Sequence, residues 1–189
     1  MTRVAQHPIE PMFLERWSPR AMSGEALDHA DLHRLFEAAR WAPSSGNNQP
    51  WRFLYALAGT PHFTTYFELL VPGNKPWAGK AGALILIVSG KLRSNGAPTR
   101  THSFDSGAAW MSLALQGSRM GLVVHGMEGF DDAAARVRLG VPDDHAVEIM
   151  VAVGKPGRVE DLPEPYRPRE VPSDRMPVES LAFEGAFPR

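Results

Sequence analysis

Between residues 103 and 120 the chain reads SFDSGAAWMSLALQGSRM, small or apolar on nearly every side of a helix, with Gly121 placed as a C′ cap. A helix of that kind has to be covered all round. One sheet face cannot do this in a protein of 189 residues, so the segment belongs either at the centre of the domain or at a contact between subunits.

Other periodicities surround it. Leu32, Leu35, Phe36 and Ala39 recur at i, i+3, i+4 and i+7. Asp28 and Asp31 stand where a helix start favours acids and Pro43 stops the run, so residues 29 to 41 read as an amphipathic helix. WRFLYAL at 51 to 57 alternates as a strand does, and residues 61 to 70 open on a proline as a short helix. ALILIV at 83 to 88 is too short to cross a bilayer and has the length and branching of a buried strand reaching residue 89. After LVVHGMEGF, Asp131 can cap a helix that Gly140 closes, and HAVEIMVAVG at 145 to 154 ends the core as a strand. Alternating strands and helices make the class α/β or α+β, in a single domain over 1–189. From Lys155 onward prolines stand at 156, 163, 165, 168, 172, 177 and 188, which excludes a helix. Residues 155–189 are expected to run extended as an arm, over their own domain or over a partner chain, punctuated by Arg158, Arg167, Arg169 and Arg175.

Charge and composition remove several functions. With 20 Lys plus Arg against 21 Asp plus Glu, the formal net charge is −1. No overall field then draws nucleic acid or an anionic membrane, and any anion must be bound locally. The absence of cysteine excludes disulfides, thiolate metal sites and thiol nucleophiles. MTRVAQHPIEP at the start lacks the apolar core of a secretory signal, so a cytoplasmic location is expected. GNKPWAGKA at 73 to 81 fails as a phosphate loop, with five residues between glycines where four are needed and Ala81 where a hydroxyl should hold magnesium. Neither GxGxxG nor GxSxG occurs, so Ser44 and Ser45 lack the setting of a nucleophile. His29 and His33 share a helix face but read as solvated beside Asp28 and Asp31. No metal ligand and no catalytic acid, base or nucleophile is assigned, His102 and His125 included.

WAPSSGNNQPWRF at 41 to 53 gathers amides and hydroxyls on a turn between helix and strand. Such groups can satisfy a planar heterocycle and its polyol chain; equally, Asn47 and Asn48 can be there to tolerate unusual backbone angles. Other segments bear on the choice. ERWSPR holds Arg16, Ser18 and Arg20; Asn74 stands shortly before the ALILIV strand; GMEGFD at 126 to 131 follows the long helix; DRMP carries Arg175. An RxSxR stretch, a complete PSSxNxQPW stretch at 43 to 51, the asparagine, the EGF segment and the late arginine, in that order, resemble the flavin-dependent nitroreductase family from residue 12 to about residue 180. The chain departs from larger members in having only KLRSNGAPTRTH at 91 to 102 where they insert helices, and Ser173 where they often place a lysine.

That resemblance implies an α+β fold with a central, mostly antiparallel sheet flanked by helices and an extended carboxy-terminal arm, forming a homodimer with FMN at its interface. The implied cofactor residues are Arg16, Trp17, Ser18, Pro19 and Arg20; Pro43, Ser44, Ser45 and Asn47; Asn74; Met127, Glu128 and Gly129; and Arg175. Arg16, Arg175 and Ser18 are expected at the phosphate, Arg20 at the pyrimidine edge, Asn74 at the polar ring edge, and the backbone at Glu128 and Gly129 at N5 and O4. Either subunit could supply the serine loop. The implied reaction is ping-pong: NADH or NADPH gives hydride through flavin N5 to an electron-poor nitroaromatic, quinone, conjugated carbonyl or small aldehyde. The alternative is a non-enzymatic FMN carrier or sensor. Trp77, Phe104 and His102 are expected at the pocket rim.

Overall fold

β2 (Ala83–Gly90) is buried along its length up to Ser89, because the sheet continues on both of its edges and helices cover both of its faces. The computed structural model describes residues 3–188. Four strands run in the order β1-β2-β4-β3, every pair antiparallel. β1 (Trp51–Leu57) sets Trp51 opposite Ser89, β4 (His145–Gly154) sets Val153 opposite Ala83, and β3 (Val123–Met127) closes the other edge with Met127 opposite Met150.

The two-residue period of β2 divides the interior in two. Leu84, Leu86 and Val88 join Met150 and Ala152 beneath α3 (Pro61–Leu69), α4 (Lys75–Ala78) and α6 (Asp132–Arg138). Ala83, Ile85 and Ile87 join Val151 and Val153 beneath α2 (His29–Arg40) and α5 (His102–Arg119). This is the α+β arrangement expected, a central antiparallel sheet between helical layers. Asp28 caps α2 by accepting from the Asp31 amide, and Asp131 caps α6 by accepting from the Ala134 amide at 2.8 Å.

α5 bears on the choice that its sequence leaves open. Ala109, Leu113, Ala114 and Gly117 are buried against β3 and α2, but Phe104, Gly107, Met111 and Leu115 lie on the side turned away from the core, with Phe104 81% exposed. Central burial is therefore not how this chain uses the helix. One side of it is left partly uncovered, with Met111 and Leu115 half-buried and Phe104 and Gly107 exposed.

The arm also differs. It contains no α-helix, yet it is coiled into 3-10 turns at Val159–Asp161, Glu164–Arg169 and Val178–Ser180 rather than fully extended. Pro163 and Pro177 precede two of these turns and Pro165 sits in the first turn of one, where a missing amide goes unnoticed. The arm returns over its own domain, along the amino-terminal segment: Ser23 N–H donates to Lys155 O at 3.0 Å, Gly157 N–H to Ala21 O at 2.9 Å, and Val178 N–H to Gln6 Oε1 at 2.8 Å. Both ends of the chain thus meet beside β3 and β4.

Candidate functional site

Where the two ends meet, they enclose a cavity of about 460 Å³ whose lining includes Arg3, Arg16, Arg20, Arg169 and Arg175, with Trp17, Ser18, His125 and Ser173 between them, and no carboxylate. α1 (Met12–Glu15) is a single turn after which the chain runs extended, so that Arg16, Ser18 and Arg20 follow at alternate positions. Arg3 pins this segment in place. Its Nη1 donates to the carbonyls of Leu14 and Arg16 at 3.1 and 2.7 Å, and its Nε to Ser173 O at 3.0 Å.

Five guanidiniums around one space repel each other. Burial holds the Arg16 guanidinium below its usual pKa, and the charges of Arg175 and Arg3 push it further down. Arg20 is lowered by burial and then by Arg169, with Glu170 opposing. The Arg16 Nε is buried without a partner, while its Nη1 reaches Ser18 Oγ at 3.4 Å. An anion held here would gain forked, charge-assisted hydrogen bonds and relieve that repulsion.

The next layer orients Arg20. Its guanidinium lies 5.8 Å from the centroid of Trp77, which in turn tilts against His125 at 4.6 Å. His125 Nδ1 is 2.8 Å from Pro19 O; a carbonyl can only accept, so Nδ1 carries the proton. Burial pushes the His125 pKa down, and Arg20 adds to the effect. Trp77, expected at the rim, is 2% exposed and belongs to the core. Its side chain is a wall under Arg20, not a rim.

Asn74 and Gly129, expected with Glu128 at the ring, come together, but none of the three is among the residues lining the arginine cavity. Asn74 Nδ2 donates to Gly129 O at 2.9 Å, and Val71 N–H to the same oxygen at 3.2 Å. A Cβ on Gly129 would stand 2.8 Å from Asn74 Nδ2, so only glycine permits this approach. Met127 points into the core opposite Met150 and is 3% exposed, leaving only its backbone for any ligand.

The serine loop is not brought to the arginine cavity within one chain. Pro43, Ser44, Ser45 and Asn47 sit near the first turn of α5: Ser45 N–H donates to Asp105 Oδ2 at 3.2 Å, and Ser44 Oγ accepts from Gln49 N–H at 3.0 Å. Asn47 and Gln49 both have left-handed backbones, with φ of 53° and 47°. Phe104 and His102, the other expected rim residues, are also outside the cavity; His102 Nδ1 meets Ser89 Oγ at 2.7 Å and faces Glu148 at 3.5 Å. Sequence reasoning missed Arg3 and His125 as lining residues and noted Arg169 only as part of the arm. The available signal was the run of arginines among the late prolines of a chain with almost no net charge.

A sequence profile described as the Nitroreductase family matches residues 14–63 and 55–155. A solved oxidoreductase containing FMN is 42% identical, covering 98% of this chain and 96% of its own, with a TM-score of 0.94. A 15.4 kDa protein of Mycolicibacterium smegmatis is 35% identical over 136 residues, which is 70% of this chain and 88% of the relative. A Streptomyces coelicolor protein named for NADH dehydrogenase/NAD(P)H nitroreductase activity is 24% identical, over 82% of this chain and 87% of its own.

Proposed function

Given that the chain belongs to the nitroreductase family, we propose that it is a dimeric FMN oxidoreductase whose arginine cavity takes the flavin phosphate. The observation that carries this reading is the carboxylate-free set of five arginines, with the Arg16 Nε buried and unmatched. The FMN content of the 42% identical oxidoreductase supports it.

The residues fit the cofactor. A phosphate of nearly two negative charges suits the coupled cations Arg3, Arg16 and Arg175, with the Ser18 hydroxyl beside them. Arg20 is the fixed charge for the pyrimidine edge, and its partial burial strengthens the interaction by lowering the local dielectric. Asn74 and the backbone of Met127, Glu128 and Gly129 serve the ring edge, while Trp17 shapes the wall and Pro19, outside the lining, fixes the backbone before Arg20. Pro43, Ser44, Ser45 and Asn47 are assigned to the other subunit's flavin, since their own chain holds them away from its arginines. Bound FMN supplies the two-electron chemistry; the protein positions it, screens its charge and leaves a face for NADH or NADPH and then for an electron-poor acceptor. No protein acid, base or nucleophile is needed.

Purified protein, or protein incubated with FMN, should show a yellow flavin spectrum that NADH or NADPH bleaches and an added quinone or nitroaromatic restores. A flavin indifferent to both nucleotides would favour a carrier or sensor. Arg16→Ala with Arg175→Ala removes two charge-assisted contacts of about 1.5–3 kcal/mol each and should weaken FMN binding about a hundredfold or more. Protein that stays colourless in excess FMN would overturn the proposal.

A further inference from the structure

Among the described residues the Arg20 guanidinium makes no hydrogen bond, so its location depends on its backbone and on the Trp77 ring below it. That backbone is held at three consecutive residues. Pro19 O accepts from His125 Nδ1 at 2.8 Å, and the amides of Arg20 and Ala21 both donate to the same Glu170 oxygen, Oε1, at 2.7 Å each. Glu170 comes from the arm, 150 residues away in sequence from Arg20. It is 8% exposed, and its Oε2 is buried with no partner.

Burying a carboxylate is costly unless its charge is matched. A clamp on two amides needs only an acceptor, which a neutral glutamine would provide at a lower desolvation cost. The charge of Glu170 has a second use: bound to the Arg20 amide at 2.7 Å, the carboxylate lies beside that residue and opposes the effect of neighbouring Arg169 on its guanidinium. His125 completes the hold from β3, through the Pro19 carbonyl.

We propose that Glu170 and His125 are positioning residues that preset Arg20, with Glu170 acting both as a backbone clamp and as a counter-charge. Their role toward the flavin rests on the FMN reading above; the clamp itself does not. The structure thereby links docking of the arm to the charge presented at the pyrimidine edge.

Two substitutions separate the roles. Glu170→Gln keeps an acceptor for both amides and removes the charge; Glu170→Ala removes both. Hydrogen exchange of the Arg20 and Ala21 amides, measured on the full chain without FMN, should stay near the wild-type rate in E170Q and accelerate at least tenfold in E170A. With FMN bound, E170Q should raise the flavin midpoint potential, because a negative charge near the reduced anion is gone. E170A should lower it, because Arg20 leaves its place, and should weaken FMN binding about tenfold. Where E170A does not accumulate, Glu170→Asp, too short to hold both amides, replaces it. His125→Phe keeps the ring against Trp77 but loses the donor and should weaken FMN binding severalfold, whereas His125→Asn, which retains a donor, should recover part of it. Unchanged amide exchange in E170A overturns the clamp whether or not FMN binds, and potentials moving in the same direction in E170Q and E170A overturn the double role. Lost protection in E170A together with a wild-type chain that takes up no FMN would sink the flavin reading and leave the clamp standing.

Discussion

Gly129 shows how narrowly single residues define this site. An added methyl would sit 2.8 Å from both Asn74 Nδ2 and Val71 Cγ2, so Gly129→Ala should displace the asparagine, lower stability by about 1–3 kcal/mol in urea unfolding and weaken FMN binding. His125 gives a pH signature. Its folded pKa lies below the ordinary 6.5, so the unfolded chain binds the proton more readily and its contribution is present above pH 6.5 and lost as the pH falls. The urea midpoint should therefore decline below that pH, and decline less steeply in His125→Phe. Arg16, Ser18, Arg20 and Arg175, singled out through the family resemblance, all line the arginine cavity. Arg3, Arg169 and His125 were not legible in the sequence, because they reach the cavity through pairing of chain ends and through a strand edge, neither of which leaves a local pattern. Trp77 was misplaced for a similar reason: an aromatic side chain near a motif does not reveal which way it turns.

At the level of elements, Gly117 is the point where α5 meets β3. A Cβ there would run into Val124 Cγ2, so Gly117→Ala should destabilise the protein by about 1–3 kcal/mol, and Val124→Ala in the same chain should recover part of the loss in thermal or urea unfolding. Helices with a capping aspartate and a regular apolar stripe, α2 and α6, were legible, as was β2 from its aliphatic run. The order β1-β2-β4-β3 was not, since β2 pairs with a strand that lies beyond α5, β3 and α6 in the chain. α4 spans only Lys75–Ala78, too short for any period, although it sets Asn74 at its start. The 3-10 turns of the arm escaped because proline content forbids a long helix without forbidding single turns.

For the whole molecule, the side of α5 that carries exposed Phe104 and Gly107 and half-buried Met111 and Leu115 is available to the second copy proposed above, as is the serine loop held away from the arginines. Met111→Glu should yield a monomer in sedimentation equilibrium and lose FMN in the same step; a wild-type protein that sediments as a monomer while fully loaded with flavin would refute the shared site. The apolar circumference of one helix left open whether its cover came from the same chain, and the packing shows that the same chain fully covers only one side of it. The cavity also draws Arg3 and Arg16 from the segment before α2 and Arg169 and Arg175 from the arm that follows β4. The sheet is complete within residues 51–154, yet the cavity closes only when segments from both sides of that stretch have folded onto it, so an anion held there would report that residues 3–175 have all reached their places.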